Sequence, residues 1–263
     1  MAQHERPDHG LGRPAASRVY DFSLGGKDNY SKDRDVAIQA FERLDAARLL
    51  PRENRKFMRR AVRYLLDAGV RQFLDIGCGL PGRGNVHEVV HGVDPEATVV
   101  YVDHDPVAVV HYRALLHSVP TAAVVHADAR DPASVLGDPQ VTRLIDFDRP
   151  VGVLMIAMLD LIPDRDDPRA VVRAFRDRMA PGSHLVVCDF LDENLTDEER
   201  AIADDLVRRN GIVVTLRPRA FIADYFDGLQ LVEPGLVYAP DWRPDRPYDP
   251  PTGWLLAGVG VKP

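Results

Sequence analysis

Gln72-Phe73-Leu74-Asp75-Ile76-Gly77-Cys78-Gly79-Leu80-Pro81-Gly82 decides the fold, because an apolar strand pattern runs straight into a carboxylate and then into a glycine-rich turn. Glycine at 77 and 79 lets the backbone turn sharply and brings bare N–H groups close to whatever docks there. Asp75 then selects the ligand. A dinucleotide fold presents Gly-x-Gly-x-x-Gly directly after its strand, so that a pyrophosphate rests on amides at a helix N-terminus. An acid at that place repels phosphate. S-adenosylmethionine carries an ammonium and a sulfonium and no phosphate, so the acid suits it. Ordinary tight turns also use Gly-x-Gly, and this turn needs support elsewhere in the chain.

The next two strand-like runs give that support. Thr98-Val99-Val100-Tyr101-Val102 ends at Asp103, roughly one βαβ repeat after Asp75 and placed to accept ribose hydroxyls. Ala122-Ala123-Val124-Val125-His126-Ala127 ends at Asp128, which suits an adenine amino group with the Ala129 amide beside it. Any one of these acids reads equally well as a strand-terminating residue or a helix cap. Three in this order form a constellation.

With 263 residues the chain is long enough for one large α/β domain and a short N-terminal extension. Its net charge of −7 disfavours broad nucleic-acid binding. The basic run Arg52, Arg55, Lys56, Arg59, Arg60 and Arg63 reads as one solvated helix face, the alternative being that a member reaches the active site. Two cysteines are too few for a disulfide framework and point to a reducing cytoplasm. No secretory signal and no membrane-length apolar run is evident. The nine histidines lack the paired spacing of a metal site, so no metal is expected.

Residues 1–14 read as a disordered tail, 15–68 as an N-terminal helical segment, and 69–263 as the main domain. The stretch from Val19 to Tyr30 is neither a clean helix nor a strand. Helices are expected at 33–48 and 52–68, the latter closed by Gly69. Strands near 70–76, 98–103, 122–127, 151–158 and 183–190 alternate with helices near 106–118, after Asp131 and near 168–180. Thr196-Asp197-Glu198-Glu199 forms a capping box that opens another helix. Two further strands, near 229–237 and 253–261, complete a doubly wound α/β sheet.

Several segments together carry a resemblance. They are Arg18-Val19-Tyr20-Asp21, Leu24-Gly25-Gly26-Lys27-Asp28-Asn29-Tyr30, Asp33-Arg34, Asn54-Arg55, the Asp75–Pro81 turn, Asn85-Val86-His87-Glu88, Val102-Asp103-His104-Asp105-Pro106 and Pro234-Gly235-Leu236-Val237. From about Arg18 onward the chain resembles an actinobacterial family of S-adenosylmethionine-dependent methyltransferases whose members mostly lack an assigned substrate. Pro81, where a third glycine is common, separates this family from the general pattern. The resemblance implies the class I methyltransferase fold, Rossmann-like, with a seven-stranded sheet parallel apart from its final strand and an N-terminal helical lid. It implies that Asp75, Gly77 and Gly79 line the methionine end, Asp103 with His104 the ribose, and Asp128 with Ala129 the adenine. Tyr20, Gly26, Asn29, Tyr30 and Arg55 are the lid's expected cofactor contacts.

One departure stands out. The family pattern leads to an expected histidine before the apolar-Pro-Asp turn that follows the fourth strand, but here the chain reads Met158-Leu159-Asp160-Leu161-Ile162-Pro163-Asp164. Asp160 either acts at the catalytic rim or caps the following helix. A sulfonium-activated methyl group needs mainly positioning, and a base only when the acceptor is an alcohol or amine. Asp160 and His87 are the expected catalytic groups, with Glu88 and Tyr20 behind them. Cys78 reads as a small pocket residue or as a thiol activated at a helix N-terminus. The expected activity is methyl transfer to a small-molecule acceptor. Its alternative is a non-catalytic S-adenosylmethionine sensor that works through a partner. An NAD-dependent oxidoreductase is opposed by Asp75, by Pro81 and by the lack of an arginine clamp for pyrophosphate. The acceptor's identity and the oligomeric state are not written in the sequence.

Overall fold

The computed structural model describes residues 13–245 and 251–263. The expected N-terminal tail therefore lies outside the described residues except for Arg13 and Pro14. The strands are β1 (Gln72–Ile76), β2 (Thr98–Asp103), β3 (Ala122–His126), β4 (Gly152–Ile156), β5 (His184–Phe190), β6 (Gln230–Leu231), β7 (Val237–Tyr238) and β8 (Leu255–Val261). The helices are α1 (Ala16–Ser23), α2 (Ser31–Arg43), α3 (Leu50–Asp67), α4 (Val86–His91), α5 (Pro106–Leu115), α6 (Pro132–Leu136), α7 (Pro139–Leu144), α8 (Pro168–Arg178), α9 (Asp197–Asn210) and α10 (Arg219–Ala223).

All the strands join one sheet in the order β3-β2-β1-β4-β5-β8-β6, with β7 also paired to β8. Strands β1 to β5 are parallel, and β8 runs antiparallel to β5 along its whole length. The chain leaves β1 toward β2 on one side and later returns to place β4 on the other. The crevice at the carboxyl ends of these strands is therefore a topological switch point, where open α/β sheets bind ligands.

The expected count of seven strands is corrected to eight among the described residues. A single strand was anticipated near 229–237, but two short pieces share one edge of β8. β6 pairs with Val261 and Gly260, and β7 with Ala257 and Leu256. Pro234 between them has no N–H to give the ladder, and Gly235 at φ 88° takes the chain out of register.

The alternating strand pattern builds two layers. Phe73, Val99, Tyr101, Leu154 and Val186 lie in one layer with Phe57, Ala61 and Leu65 of α3, where Tyr101 stacks on Tyr112 of α5. Leu74, Ile76, Val100, Val153 and Met155 face the other way, onto Val171, Val172 and Phe175 of α8. Each fully buried side chain of this size contributes roughly 1.5–3 kcal/mol of burial.

α3 starts with Pro51 in its first turn and is followed by Gly69 at φ 88°. Its basic residues do not form one solvated face. Arg60 is buried and donates from Nε to the Trp242 carbonyl at 2.7 Å and from Nη2 to the Ala239 carbonyl at 2.6 Å. Trp242 is itself buried edge-on against Phe57 and Tyr64, so it is a core residue of the chain.

Candidate active site

At the end of β1 the burial pattern breaks. Phe73, Leu74, Ile76 and Leu80 are buried, yet Asp75, Gly77, Cys78 and Gly79 among them are only half-buried, so they border open space inside the layer. Gly77 and Gly79 sit at φ 70° and 65°, where side chains are strained, and a Cβ on Gly77 would meet that of Met158 at 2.6 Å. The turn is tied to β2: the Gly77 and Cys78 amides donate to the Val102 carbonyl at 2.8 and 3.2 Å.

Asp103 ends β2 beside that turn. Its Oδ2 accepts from the Gly79 amide at 2.7 Å and its Oδ1 from the Asp105 amide at 2.8 Å. Burial raises its pKa, and these two amides work against the rise. Burial also pushes Asp75 up to about 7, opposed by the Arg55 guanidinium on α3 and aided by Asp103. The Cys78 thiol is driven well up by burial, then by Asp103 and Asp75, so it is a neutral pocket thiol and not an activated nucleophile. His104 projects into solvent, with Nδ1 3.7 Å from Asp103 Oδ1. Asp128 is held by Arg130, whose Nε lies 3.0 Å from both carboxylate oxygens, and this hydrogen bonding lowers its pKa. Arg130 also reaches Asp166 at 3.2 Å. Ala129 is half-buried next to Asp128.

The N-terminal segment lies over this edge. Ser17 Oγ donates to Asp105 Oδ2 at 2.8 Å, and Arg18 bonds Asp33 at 3.0 Å with both side chains buried. The Ser17 Cβ comes within 3.9 Å of a Cβ placed on Gly79, which puts the start of α1 directly against the glycine turn. Tyr20 points inward, accepting from Asn54 Nδ2 at 2.9 Å and donating to the Pro51 carbonyl at 3.2 Å. Burial lifts its phenol to about 12, with Arg55, Cys188 and Asp160 as charged or titratable neighbours. The other anticipated lid contacts serve the loop itself. Gly26 leaves room for the Asp21 carboxylate, which a Cβ there would overlap. Asp21 in turn accepts from Asn29 Nδ2 at 2.8 Å. Tyr30 is exposed under the Arg18 guanidinium.

The ends of β4 and β5 carry a second group of acids. Asp160, in the turn after β4, is 2% exposed and its Oδ1 has no hydrogen-bond partner. Asp189 near the end of β5 is fully buried, accepts from its neighbour's amide at 2.9 Å and lies 3.4 Å from Arg217 Nη1. Burial raises Asp160 well above the carboxylate range and Asp189 raises it further; burial lifts Asp189 to about 6. An orphaned buried acceptor costs about 1–3 kcal/mol, so it needs a reason to persist.

His87 is placed elsewhere in the layer. From α4 its Nδ1 lies 2.7 Å from the hydroxyl of buried Tyr101, and burial lowers its pKa. Glu88 accepts from the Gly84 amide at 2.7 Å and from Asn85 at 3.0 Å, stitching the loop that follows the glycine turn. Asn54, Asp189 and Arg217 were not anticipated as site residues. Asn54 stood beside Arg55 in a marked segment, and Asp189 ends a strand as Asp75 does. Nothing local in the sequence marks Arg217.

Residues 3–263 match the profile of a protein family described as S-adenosyl methyltransferase. No functionally curated protein matches the chain. A crystal structure of a candidate methyltransferase from Thermobifida fusca YX shares 40% identity over 99% of each chain, with a TM-score of 0.91. A DUF574 family protein from Streptomyces avermitilis shares 35% identity, covering 97% of this chain and 100% of that one, also at a TM-score of 0.91. At 15% identity and a TM-score of 0.50, 1,6-didemethyltoxoflavin-N1-methyltransferase from Burkholderia thailandensis, which covers 100% of this chain and 93% of its own, shares the fold alone. With nearly its whole length matched and an acid-lined glycine turn at the switch point of its sheet, the chain belongs to the S-adenosyl methyltransferase family.

Proposed function

We propose that the protein binds S-adenosylmethionine at the ends of β1 and β2 and transfers its methyl group to a small-molecule acceptor. The observation that carries this reading is the half-buried row Asp75, Gly77, Cys78 and Gly79, open in an otherwise closed layer and faced by the Arg55 guanidinium. The row fits a ligand with both cationic and anionic groups. Asp75 would attract the ammonium, Arg55 the carboxylate and Asp103 the ribose hydroxyls. Asp128 and Ala129 would meet the adenine edge, and Arg130 bonds the Asp128 carboxylate. When bound, the cofactor supplies a methyl group already activated by sulfonium, so the chain's task is to orient the acceptor and exclude water. The start of α1, fastened by Ser17 and Arg18, would cover the cofactor. Together with Asn29, Gly26 and Tyr30 it forms the lid segment of this reading.

Calorimetric titration with S-adenosylmethionine, S-adenosylhomocysteine and NAD tests the assignment. Micromolar binding of the first two is expected, weakened about 100-fold in Asp103→Ala, with no binding of NAD. Well-folded protein that binds neither adenosyl ligand overturns it.

A further inference from the structure

The starts of α6 and α8 carry an ion-pair network that neither the core nor the transfer of the methyl group employs. Arg130 and Asp166 each stand immediately before a helix-capping acid: Asp131, which accepts from the Ser134 amide, and Asp167, which accepts from the Ala170 amide. Arg130 grips Asp128 in the loop after β3, with Nε 3.0 Å from both carboxylate oxygens and Nη2 2.5 Å from Oδ2, and its backbone amide donates to Oδ1 at 2.9 Å. Its Nη1 donates at 3.2 Å to Asp166 Oδ2, in the turn after β4. Arg165 Nε lies 3.7 Å from the other Asp166 oxygen, on a side chain that is mostly in solvent.

Strand order gives this network its reach. β2 and β1 lie between β3 and β4, so the ends of β3 and β4 stand three interstrand spacings apart, roughly 14 Å. The loops that leave them nevertheless meet at Arg130. Between the two are the ends of β2 and β1, which carry Asp103 and Asp75. The two loops contribute four acids, Asp128, Asp131, Asp166 and Asp167, and like charges on neighbouring loops repel. Arg130 bonds an acid of each loop and turns a repulsive gap into an attachment. We propose that Arg130 is a positioning residue that straps the loop after β3 to the turn after β4 and so holds shut the adenine end of the cofactor crevice.

This rests on the methyl-transfer reading above and adds a second closure to the same site. α1 lies against the glycine turn and is bonded to α3 through Tyr20 and Asn54. The Arg130 strap joins loops on the opposite, α8 side of the sheet, where Val135 of α6 and Val171 of α8 share one layer. Asp128 can serve the strap and the ligand together. A carboxylate offers about four acceptor sites, and the Arg130 amide, Nε and Nη2 bring three donors, which leaves one site for an adenine amino group. The Arg130 side chain is 51% exposed and the Asp128 and Asp166 side chains 39% and 28%, so the strap is a salt-sensitive contact that opens and recloses. It slows escape of the ligand without holding up the fold.

Stopped-flow displacement reads the dissociation rate of S-adenosylhomocysteine from wild type, Arg130→Gln, Asp166→Asn and the double variant, at about 0.02 M and about 1 M sodium chloride. At low salt each single variant should release the ligand about threefold to fivefold faster than wild type. The double variant should be no faster than Arg130→Gln, because both changes cut the same strap and the cycle removes what Arg165 contributes. At high salt the wild-type rate should rise to meet that of the variants. Denaturation midpoints of the ligand-free variants should stay at the wild-type value, which separates a strap on the ligand from a support of the fold. The proposal is overturned by a wild-type rate in Arg130→Gln or Asp166→Asn, by effects that multiply in the double variant, by a gap that persists at about 1 M salt, or by midpoints that fall in both single variants. Failure of S-adenosylhomocysteine to bind wild type strikes the methyl-transfer reading instead, and this inference falls with it.

Discussion

The ends of β1 and β2 and the ends of β4 and β5 both place two carboxyl groups at the same edge of one sheet, but they are finished differently. At β2, Asp103 is supplied by two backbone amides, and at β1, Asp75 is half-buried with Arg55 opposite. At β5, Asp189 shares a buried guanidinium, and after β4, Asp160 is left with an unpartnered oxygen. In the first pair Asp103 is held by main chain, and Asp75 faces the charge of one guanidinium from α3. The second depends on side chains brought from distant parts of the chain. The contrast separates a general ligand site from a particular one.

The most disruptive way to probe that contrast is Arg217→Met. It strips Asp189 of its counter-charge and leaves the Leu159 and Ile162 carbonyls without their donor. Removing one partner of a buried pair costs about 3–5 kcal/mol, so chemical denaturation should show a loss of that size, while the folded fraction still binds S-adenosylhomocysteine. A loss below about 1 kcal/mol would mean that the β4–β5 end is less tightly built than its geometry indicates.

On the other side, Asp103→Ala should lower S-adenosylhomocysteine affinity by about 100-fold, the worth of hydrogen bonds to a charged group. Gly77→Ala should destabilise by about 1–3 kcal/mol, through the Met158 clash and the left-handed backbone, measured as a shift in denaturation midpoint. Stability retained in that variant would indicate that the turn and Met158 can move apart.

Asp75 gives the comparison a pH axis. Its folded pKa of about 7 lies above the ordinary 3.8, so the folded state holds a proton that the unfolded state has released between those values. Its contribution to stability is therefore present below the lower value and lost as pH rises through about 7. Ligand-free Asp75→Asn lacks this loss. Its melting temperature should rise relative to wild type as pH climbs through that window, then level off. A difference that stays flat across the window would argue that Asp75 is already ionised in the folded protein.

The smallest effect is expected at the lid. Ser17→Ala removes one hydrogen bond to Asp105, worth about 1 kcal/mol, and should speed S-adenosylhomocysteine dissociation several-fold in stopped-flow displacement. An unchanged rate would show that α1 does not gate the ligand.

The cofactor side was legible in the sequence because each of its parts is local. β-branched runs that stop at Asp75 and Asp103, and glycines at 77 and 79, declare strand, acid and turn without reference to the rest of the chain. The helix α1 was not declared. Its segment has no sustained apolar face, and Arg18, Ser17 and Asp33 hold it through tertiary bonds. Arg217 was invisible for a stronger reason: it meets the Leu159 carbonyl across 58 positions of chain, a distance no local pattern spans. Asp160 was visible only as an unexpected residue type, and its lack of a partner is a property of the folded state alone. The split of the last-but-one strand was foreshadowed by Pro234, but its two halves were legible only once β8 had paired with both.

The most direct test crosses the two regions. S-adenosylhomocysteine affinity is measured calorimetrically for Asp103→Asn and Asp160→Asn. The account predicts that Asp103→Asn weakens adenosyl binding by about 100-fold while Asp160→Asn keeps the wild-type affinity. Loss of adenosyl binding in Asp160→Asn, or its full retention in Asp103→Asn, would contradict the placement of the cofactor end at β1–β2, apart from the acids at β4–β5.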